Sequence, residues 1–152
     1  MTRNKSLFTV LLIIFAIWGC SNHDRSTKLK SIWVPYEVSS NDSILYYDRT
    51  QIPEGRHNIL KIWTKRKFPK QLIDKHVQYR KDHNLSIDGW DKLDYEIILK
   101  EFDCHNQTRK RLLTIDYNDQ DAILMTTQAS NPKTEKILSG SGDEALLGIV
   151  CQ

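Results

Sequence analysis

The sequence predicts an α+β fold in which an antiparallel sheet of about six strands carries a C-terminal helix packed on one face. Three observations in the 152-residue chain lead to this prediction. Short runs of alternating apolar and polar residues are separated by turn-forming residues, as in half-buried strands. The last three runs are joined by compact loops, which favours an antiparallel meander. An apolar stripe with helical spacing then ends the chain, and so short an amphipathic helix must pack on the sheet to be stable.

Three strands are predicted in the first half of the domain. They lie where β-branched and aromatic residues are frequent, at residues 32–36, 44–47 and 59–67. The Ser-Ser-Asn-Asp sequence at residues 39–42 predicts a turn between the first two. In the third strand, Leu60, Ile62 and Thr64 are expected to share one side.

Three consecutive strands are predicted in the second half, at residues 95–104, 109–117 and 122–127. Because residues 97–99 are apolar without alternation, the first of these strands is expected to be central and covered on both faces. In the second of them, Leu113, Ile115 and Tyr117 are expected to share one face with Arg111.

Two helices are predicted outside the strands. Residues 69–81 place apolar side chains at helical spacing behind Pro69, and proline suits a first helical turn. Near the C-terminus, Ser141 and Glu144 have capping-box spacing, which predicts Ser141 as the N-cap of a terminal helix.

The N-terminal segment has the pattern of an export signal. Arg3 and Lys5 give it a basic start, and the apolar run at residues 7–18 is too short to span a bilayer. Gly19 and Cys20 end the segment.

Residues 17–20, Ile-Trp-Gly-Cys, complete this pattern as in a lipobox. On these residues the segment resembles bacterial lipoprotein precursors, which implies a signal peptide at residues 1–19 and lipidation of Cys20. The lipid would anchor the chain to a membrane, and Ser21, in place of Asp, favours the outer one. Residues 20–30 are then expected to form a flexible tether, and residues 31–152 a single domain.

Three cysteines are present: Cys20, Cys104 and Cys151. Once Cys20 carries lipid, two thiols remain in an exported protein, where thiols oxidise. A disulfide between Cys104 and Cys151 is therefore predicted, which would join the terminal helix to the end of a strand.

Charge and motif content argue against several functions. The formal net charge of +3 falls when the two basic residues of the signal are removed, so no concentrated basic field remains for nucleic acid. No histidine pair has metal-site spacing, and no catalytic constellation is evident around Ser139 or Ser141. We expect no enzyme activity, no metal and no cofactor.

The densest basic stretch lies in and after the third strand, at Lys61, Lys65, Arg66, Lys67 and Lys70. One interpretation is a solvated strand edge on which lysines oppose edge-to-edge pairing. The other is a contact strip for an anionic ligand or a protein, with Lys65, Arg66 and Lys67 as its candidate residues.

Several motifs of the domain occur together in one family. They are Trp33, Tyr46-Tyr47-Asp48 with Ile52, Lys61-Ile62-Trp63-Thr64, Asp103-Cys104 with Arg109 and Arg111, Tyr117, and Ile137-x-x-Gly140-Ser141 leading through Glu144 and Leu147 to Val150-Cys151. On these motifs the chain resembles the surface-adhesin protein E family of small bacterial lipoproteins, except at residues 69–90. The resemblance implies an antiparallel sheet with a disulfide-linked helix, displayed at the cell surface and binding host matrix and serum proteins.

The expected function is that of a non-catalytic, lipid-anchored envelope protein that binds extracellular or envelope proteins as an adhesin-like module. The alternative is a periplasm-facing structural or envelope-maintenance lipoprotein with no external ligand. A third candidate is a small-molecule binder with a tryptophan and histidine pocket, for example for haem. The membrane face and the oligomeric state are left open.

Overall fold

The computed structural model describes residues 30–55 and 57–152 of the chain. Its elements in order are β1 (Trp33–Val38), β2 (Ile44–Asp48), β3 (Ile59–Lys67), α1 (Lys70–Asp82), β4 (Leu93–Asp103), β5 (Thr108–Asn118), β6 (Ile123–Gln128), β7 (Glu135–Lys136) and α2 (Gly142–Val150). The predicted signal peptide, and all of the predicted tether except Lys30, lie outside the described residues. No helix within the described ranges is long and apolar enough to cross a membrane.

The sheet is an open antiparallel meander in which strands β1 to β6 lie side by side in chain order. Each of the strands β1 to β5 pairs with the next one along the chain, and β7 pairs with the start of β5. The predicted fold class is confirmed. Because β7 has two residues, it is too short to leave a periodic pattern in the sequence.

The face of the sheet that packs against α2 is here called the helix face. Its core contains Tyr47, Leu60, Ile62 and Phe102 from the strands and Leu146 and Val150 from α2. Ile62, Phe102 and Leu146 are fully buried. Burying each such side chain contributes about 1.5–3 kcal/mol relative to leaving it exposed, so the contact with α2 stabilises the centre of the sheet.

A disulfide joins Cys104, directly after β4, to Cys151, the C-cap residue of α2, across 47 positions of the chain. The predicted pairing is therefore confirmed. The link holds the C-terminal end of α2 beside the strand that carries Phe102.

Helix α1 packs at the other end of the sheet, where Leu72, Ile73 and Val77 contact a second core cluster of Phe68, Trp90 and Leu93. Pro69 is its N-cap residue in an extended conformation, close to the start that the sequence predicts. The ring of His76 packs edge-on against Phe68. The helix has no fully buried residue, so it lies at the margin of the core.

The position of β3 and β4 corrects two expectations. Strand β3 lies between β2 and β4, and Lys65 and Lys67 pair with residues of both neighbours, so these two lysines do not protect a sheet edge. Strand β4 is central as predicted, but Ile97 and Leu99 are only half-buried and face away from the helix face. The expectation that β4 is covered on both faces was therefore wrong for the described residues. The core clusters that hold α1 and α2 include neither Ile97 nor Leu99.

A bulge in β5 corrects the expected neighbours of Arg111. Leu99 pairs with Leu113, while the next residue, Lys100, pairs with Arg111, so one residue is left over at position 112. The extra residue reverses the alternation of side chains. Arg111 therefore lies on the helix face, and Leu113, Ile115 and Tyr117 lie on the opposite one.

The disulfide yields a stability prediction. In the double variant Cys104→Ser/Cys151→Ser, the free energy of unfolding should fall by about 4 kcal/mol, because the unfolded chain loses a closed loop. Chemical denaturation followed by tryptophan fluorescence measures this difference.

The matched control is the unmodified protein with and without a thiol reductant. Reductant should lower its stability to that of the double variant and leave the double variant unchanged. Equal stability of the oxidised protein and the double variant would contradict the stabilising role of the link.

Candidate functional site

The face of the sheet opposite the helix face is here called the open face. It presents apolar side chains from β3, β4 and β5: Trp63, Ile97, Leu99, Leu113, Ile115 and Tyr117. All six are half-buried, although they lie in interior strands. Within the described ranges, the core clusters that hold α1 and α2 include none of them.

Strand pairing arranges these side chains in rows across the sheet. Trp63 pairs with Leu99, which pairs with Leu113, and Ile97 pairs with Ile115 in the next row. Cross-strand pairs of this kind bring side chains to within about 5 Å of each other. The open face is therefore a continuous apolar surface.

Two stacked tyrosines close one end of this surface. The rings of Tyr95 and Tyr117 lie 4.9 Å apart, and the Tyr95 hydroxyl donates to Asp121 at 2.7 Å. Burial, together with this hydrogen bond, raises the pKa of the Tyr95 phenol. The hydrogen bond to Asp121 consequently fixes the orientation of the Tyr95 ring.

Lysines of β3 border the open face because they alternate with residues of the helix face. The Lys65 ammonium lies 3.7 Å from the centre of the Tyr95 ring, and burial lowers its pKa. Lys67 lies 3.4 Å from Asp94, and the mostly exposed Lys61 lies 3.9 Å from Glu101. Lys61, Lys65 and Lys67 thus form one basic border.

The structure divides the candidate strip that the sequence suggested. Lys65 and Lys67 lie on the open face, but Arg66 points to the other side, where its guanidinium is 2.6 Å from Glu96. Lys70 belongs to α1 and pairs with Asp74 at 2.8 Å. Because successive side chains of a strand point to opposite faces, alternation alone places Arg66 on the face opposite to Lys65 and Lys67. The same alternation places Lys61 on the face of Lys65 and Lys67.

A second feature lies on the helix face, between β3, β4, β5 and the first turn of α2. It is a cleft of about 230 Å³, here called the charged cleft, whose cationic lining residues are Arg66, Lys100, Arg109 and Arg111. Sequence reasoning missed it, because the bulge at position 112 is needed to bring Arg111 beside Lys100.

Most of these cationic side chains form ion pairs. Asp143 of α2 lies 2.6 Å from both Lys100 and Arg109, and Arg109 also lies 2.9 Å from Glu135. Burial lowers the pKa of the Lys100 ammonium, and the Asp143 carboxylate opposes that shift. The network therefore joins α2 to β4, β5 and β7.

Ser141 lies at the N-cap of α2, in the rim of the charged cleft. Its hydroxyl accepts from the backbone N–H of Glu144 at 3.3 Å and donates to the carbonyl of Leu138 at 2.6 Å. The Glu144 carboxylate in turn accepts from the N–H of Gly140 at 2.7 Å. These contacts give Ser141 a structural role at the helix start.

The described histidines make local contacts. His57 bonds to the carbonyl of Glu54, and His83 stacks on Tyr79. The ring of Trp90 is covered by Arg80 at 3.9 Å. In the part of the chain that the structure describes, no three His, Cys, Asp or Glu side chains are grouped to hold a metal ion.

A family model described as surface-adhesin protein E matches residues 33–152, from the first residue of β1 to the end of the chain. Curated proteins and solved structures gave no match. The matched region includes the whole sheet, α2 and both linked cysteines. The chain therefore belongs to the surface-adhesin protein E family.

Proposed function

We propose that this protein is a non-catalytic, lipid-anchored module of the cell envelope that binds extracellular proteins through the open face. Membership of the family makes it a surface adhesin-like protein. The observation that carries the proposal is the apolar open face, bordered on β3 by Lys61, Lys65 and Lys67.

The composition of the open face suits a protein interface. The buried centres of interfaces are apolar and rich in aromatic residues, and their rims are polar. Trp63 and the Tyr95–Tyr117 pair supply the aromatic part, and the lysines supply the rim. A contiguous apolar surface of this kind marks an interaction site more often than an inert surface.

The lysine border selects the chemistry of the partner. Lys65 makes no ion pair among the described residues, and the Lys61 contact of 3.9 Å is a long one. These charges favour a partner that presents acidic side chains around an apolar centre, because complementary rim charges raise the association rate. The proposed occupant is accordingly an extracellular protein with an acidic surface segment.

The helix face supports a role other than catalysis. Lys100 and Arg109 on that face are engaged in ion pairs with Asp143 of α2, and the Ser141 hydroxyl caps that helix. A general base or a nucleophile would instead have to be free to exchange protons with a substrate.

The lysine border gives the first test of function. Replacing Lys61, Lys65 and Lys67 together by Gln should weaken binding to immobilised serum and extracellular-matrix proteins by about tenfold, since each rim charge contributes a fraction of a kcal/mol. Binding of the unmodified protein should weaken as salt rises, and that dependence should flatten in the triple variant. Biosensor titration at two ionic strengths measures both effects.

The control replaces three exposed lysines elsewhere, Lys75, Lys81 and Lys133, by Gln. This variant has the same change in net charge and should bind as the unmodified protein does. Equal losses in the two triple variants would show a general charge effect and would remove the open face as the contact surface.

Anchoring through Cys20 gives a separate test. In the variant Cys20→Ser, the protein should move from the membrane fraction to the soluble fraction, because the acyl chains that hold it would be absent. The variant Cys104→Ser/Cys151→Ser is the control and should remain with the membrane. A Cys20→Ser protein that stays in the membrane fraction contradicts lipid anchoring.

Protease treatment of intact cells distinguishes the surface module from the periplasm-facing alternative. A surface-displayed domain should be degraded while a periplasmic marker protein stays intact. Complete resistance of the chain under those conditions would favour the periplasm-facing lipoprotein.

A further inference from the structure

We infer that Asn84, in the loop after α1, is an acceptor for N-linked glycosylation, with an oligosaccharide carried on polyprenyl diphosphate as the donor. The inference goes beyond protein binding but rests on the proposed export of the chain, because such lipid-linked donors are used outside the cytoplasm. Asn84 begins the triplet Asn-Leu-Ser at residues 84–86. A triplet Asn-x-Ser/Thr without proline in the middle is the acceptor motif for this modification.

An acidic residue extends this motif toward the N-terminus. Asp82 stands two positions before Asn84, so residues 82–86 read Asp-His-Asn-Leu-Ser. In bacteria the triplet is recognised together with an acidic residue at this position. The chain has four Asn-x-Ser/Thr triplets, which begin at Asn4, Asn41, Asn84 and Asn106. The triplet at Asn84 is the one that an acidic residue precedes in this way.

The motif lies on an accessible loop. All residues from 82 to 88 are exposed, and Asn84 has a φ of 54°, in the left-handed region that asparagine tolerates. Its backbone N–H donates to the Lys81 carbonyl at 3.1 Å. Its side-chain amide makes no hydrogen bond to another described residue. The amide nitrogen of Asn84 is therefore free to react.

The two other triplets within the described ranges are engaged in the fold. The Asn41 side-chain oxygen accepts from the Ser43 N–H, and Ser43 is fully buried. The Asn106 amide nitrogen donates to Asp103 at 2.8 Å, and Thr108 of that triplet is paired in the sheet. The first triplet therefore withholds its hydroxyl from an enzyme, and the second withholds its nitrogen.

Few contacts hold the loop of Asn84 in place. The Arg80 carbonyl accepts from the Leu85 N–H at 2.9 Å, and the Arg80 guanidinium donates to the Ser86 carbonyl at 2.6 Å. The Ser86 hydroxyl donates to Asp88 at 3.2 Å. Because α1 has no fully buried residue, its C-terminal end can open locally at little cost. The motif can thus enter an enzyme while the sheet stays folded.

The reaction is a group transfer without a redox step. The amide nitrogen of Asn84 attacks the anomeric carbon of the first sugar and forms an N-glycosidic bond. The bond from that carbon to the diphosphate oxygen breaks, and polyprenyl diphosphate leaves with the electron pair. A base of the oligosaccharyltransferase accepts the proton that the nitrogen loses.

The test is expression of the full-length chain in a bacterial host that carries an oligosaccharyltransferase and its lipid-linked oligosaccharide. Chains in the membrane fraction should gain the mass of one glycan, and chains from the same host without the enzyme should not. Trypsin releases residues 82–92 as one peptide, in which Asn84 is the single asparagine. Mass spectrometry should find the glycan on this peptide.

Variants test each part of the motif. Asn84→Gln and Ser86→Ala should abolish the glycan, because each removes one part of the triplet, and Asp82→Asn should leave most chains unmodified. Ser86→Thr keeps the hydroxyl and should keep the glycan. Ser86→Ala and Ser86→Thr should have the same thermal unfolding curve, so a difference between them reports recognition of the hydroxyl. Asn41→Gln and Asn106→Gln are the matched controls and should remain glycosylated.

Several results would overturn the inference. They are an unmodified peptide 82–92 in exported chains while a reference glycoprotein in the same cells is modified, a glycan at Asn41 or Asn106 in its place, and a glycan on that peptide in the Asn84→Gln variant. A chain that keeps its signal peptide would overturn the proposed export and this inference with it. An exported chain without the glycan would overturn this inference alone.

Discussion

The attachment of α2 to one face of the sheet is the constraint on which the rest of the structure depends. The disulfide between Cys104 and Cys151 fixes the end of the helix, and Leu146 and Val150 complete the core beneath it. A single short helix can cover only part of one face. The fold therefore leaves apolar rows half-buried on the other side, and that asymmetry supplies the surface on which we place protein binding.

Polar contacts reinforce the same arrangement at the start of α2. Asp143 links Lys100 and Arg109, and the cap at Ser141 sets the helix direction. Removing one member of such a partly buried network costs more than the network contributes, because a buried charge is left without a partner. Asp48, in the Tyr-Tyr-Asp motif, has a comparable structural role: it is buried and accepts from the N–H groups of Ile32 and Thr50. The Tyr-Tyr-Asp sequence thus includes a position that maintains the fold.

Most elements could be predicted from the sequence because their signals are local. Alternation located the six main strands, the capping-box spacing located α2, and the count of cysteines gave the disulfide. The orientation of particular side chains could not be predicted, since a single inserted residue reverses it. The bulge at position 112 placed Arg111 on the helix face, and no propensity distinguishes a bulge from a regular strand. The placement of Lys65 and Arg66 on opposite faces could be predicted from strand alternation. Which face of β4 is covered could not be predicted, because it depends on where α1 and α2 pack.

The central claim is that α2 covers one face and leaves the other free for a partner, and hydroxyl-radical footprinting of the full-length protein tests it most directly. In the free protein, Trp63 and Tyr117 of the open face should be oxidised much faster than Phe102 of the helix face, which is fully buried. Addition of a serum or matrix protein that the chain binds should protect Trp63 and Tyr117 and leave Tyr79 of α1 reactive. Slow oxidation of Trp63 in the free protein, or protection confined to Tyr79, would contradict the account.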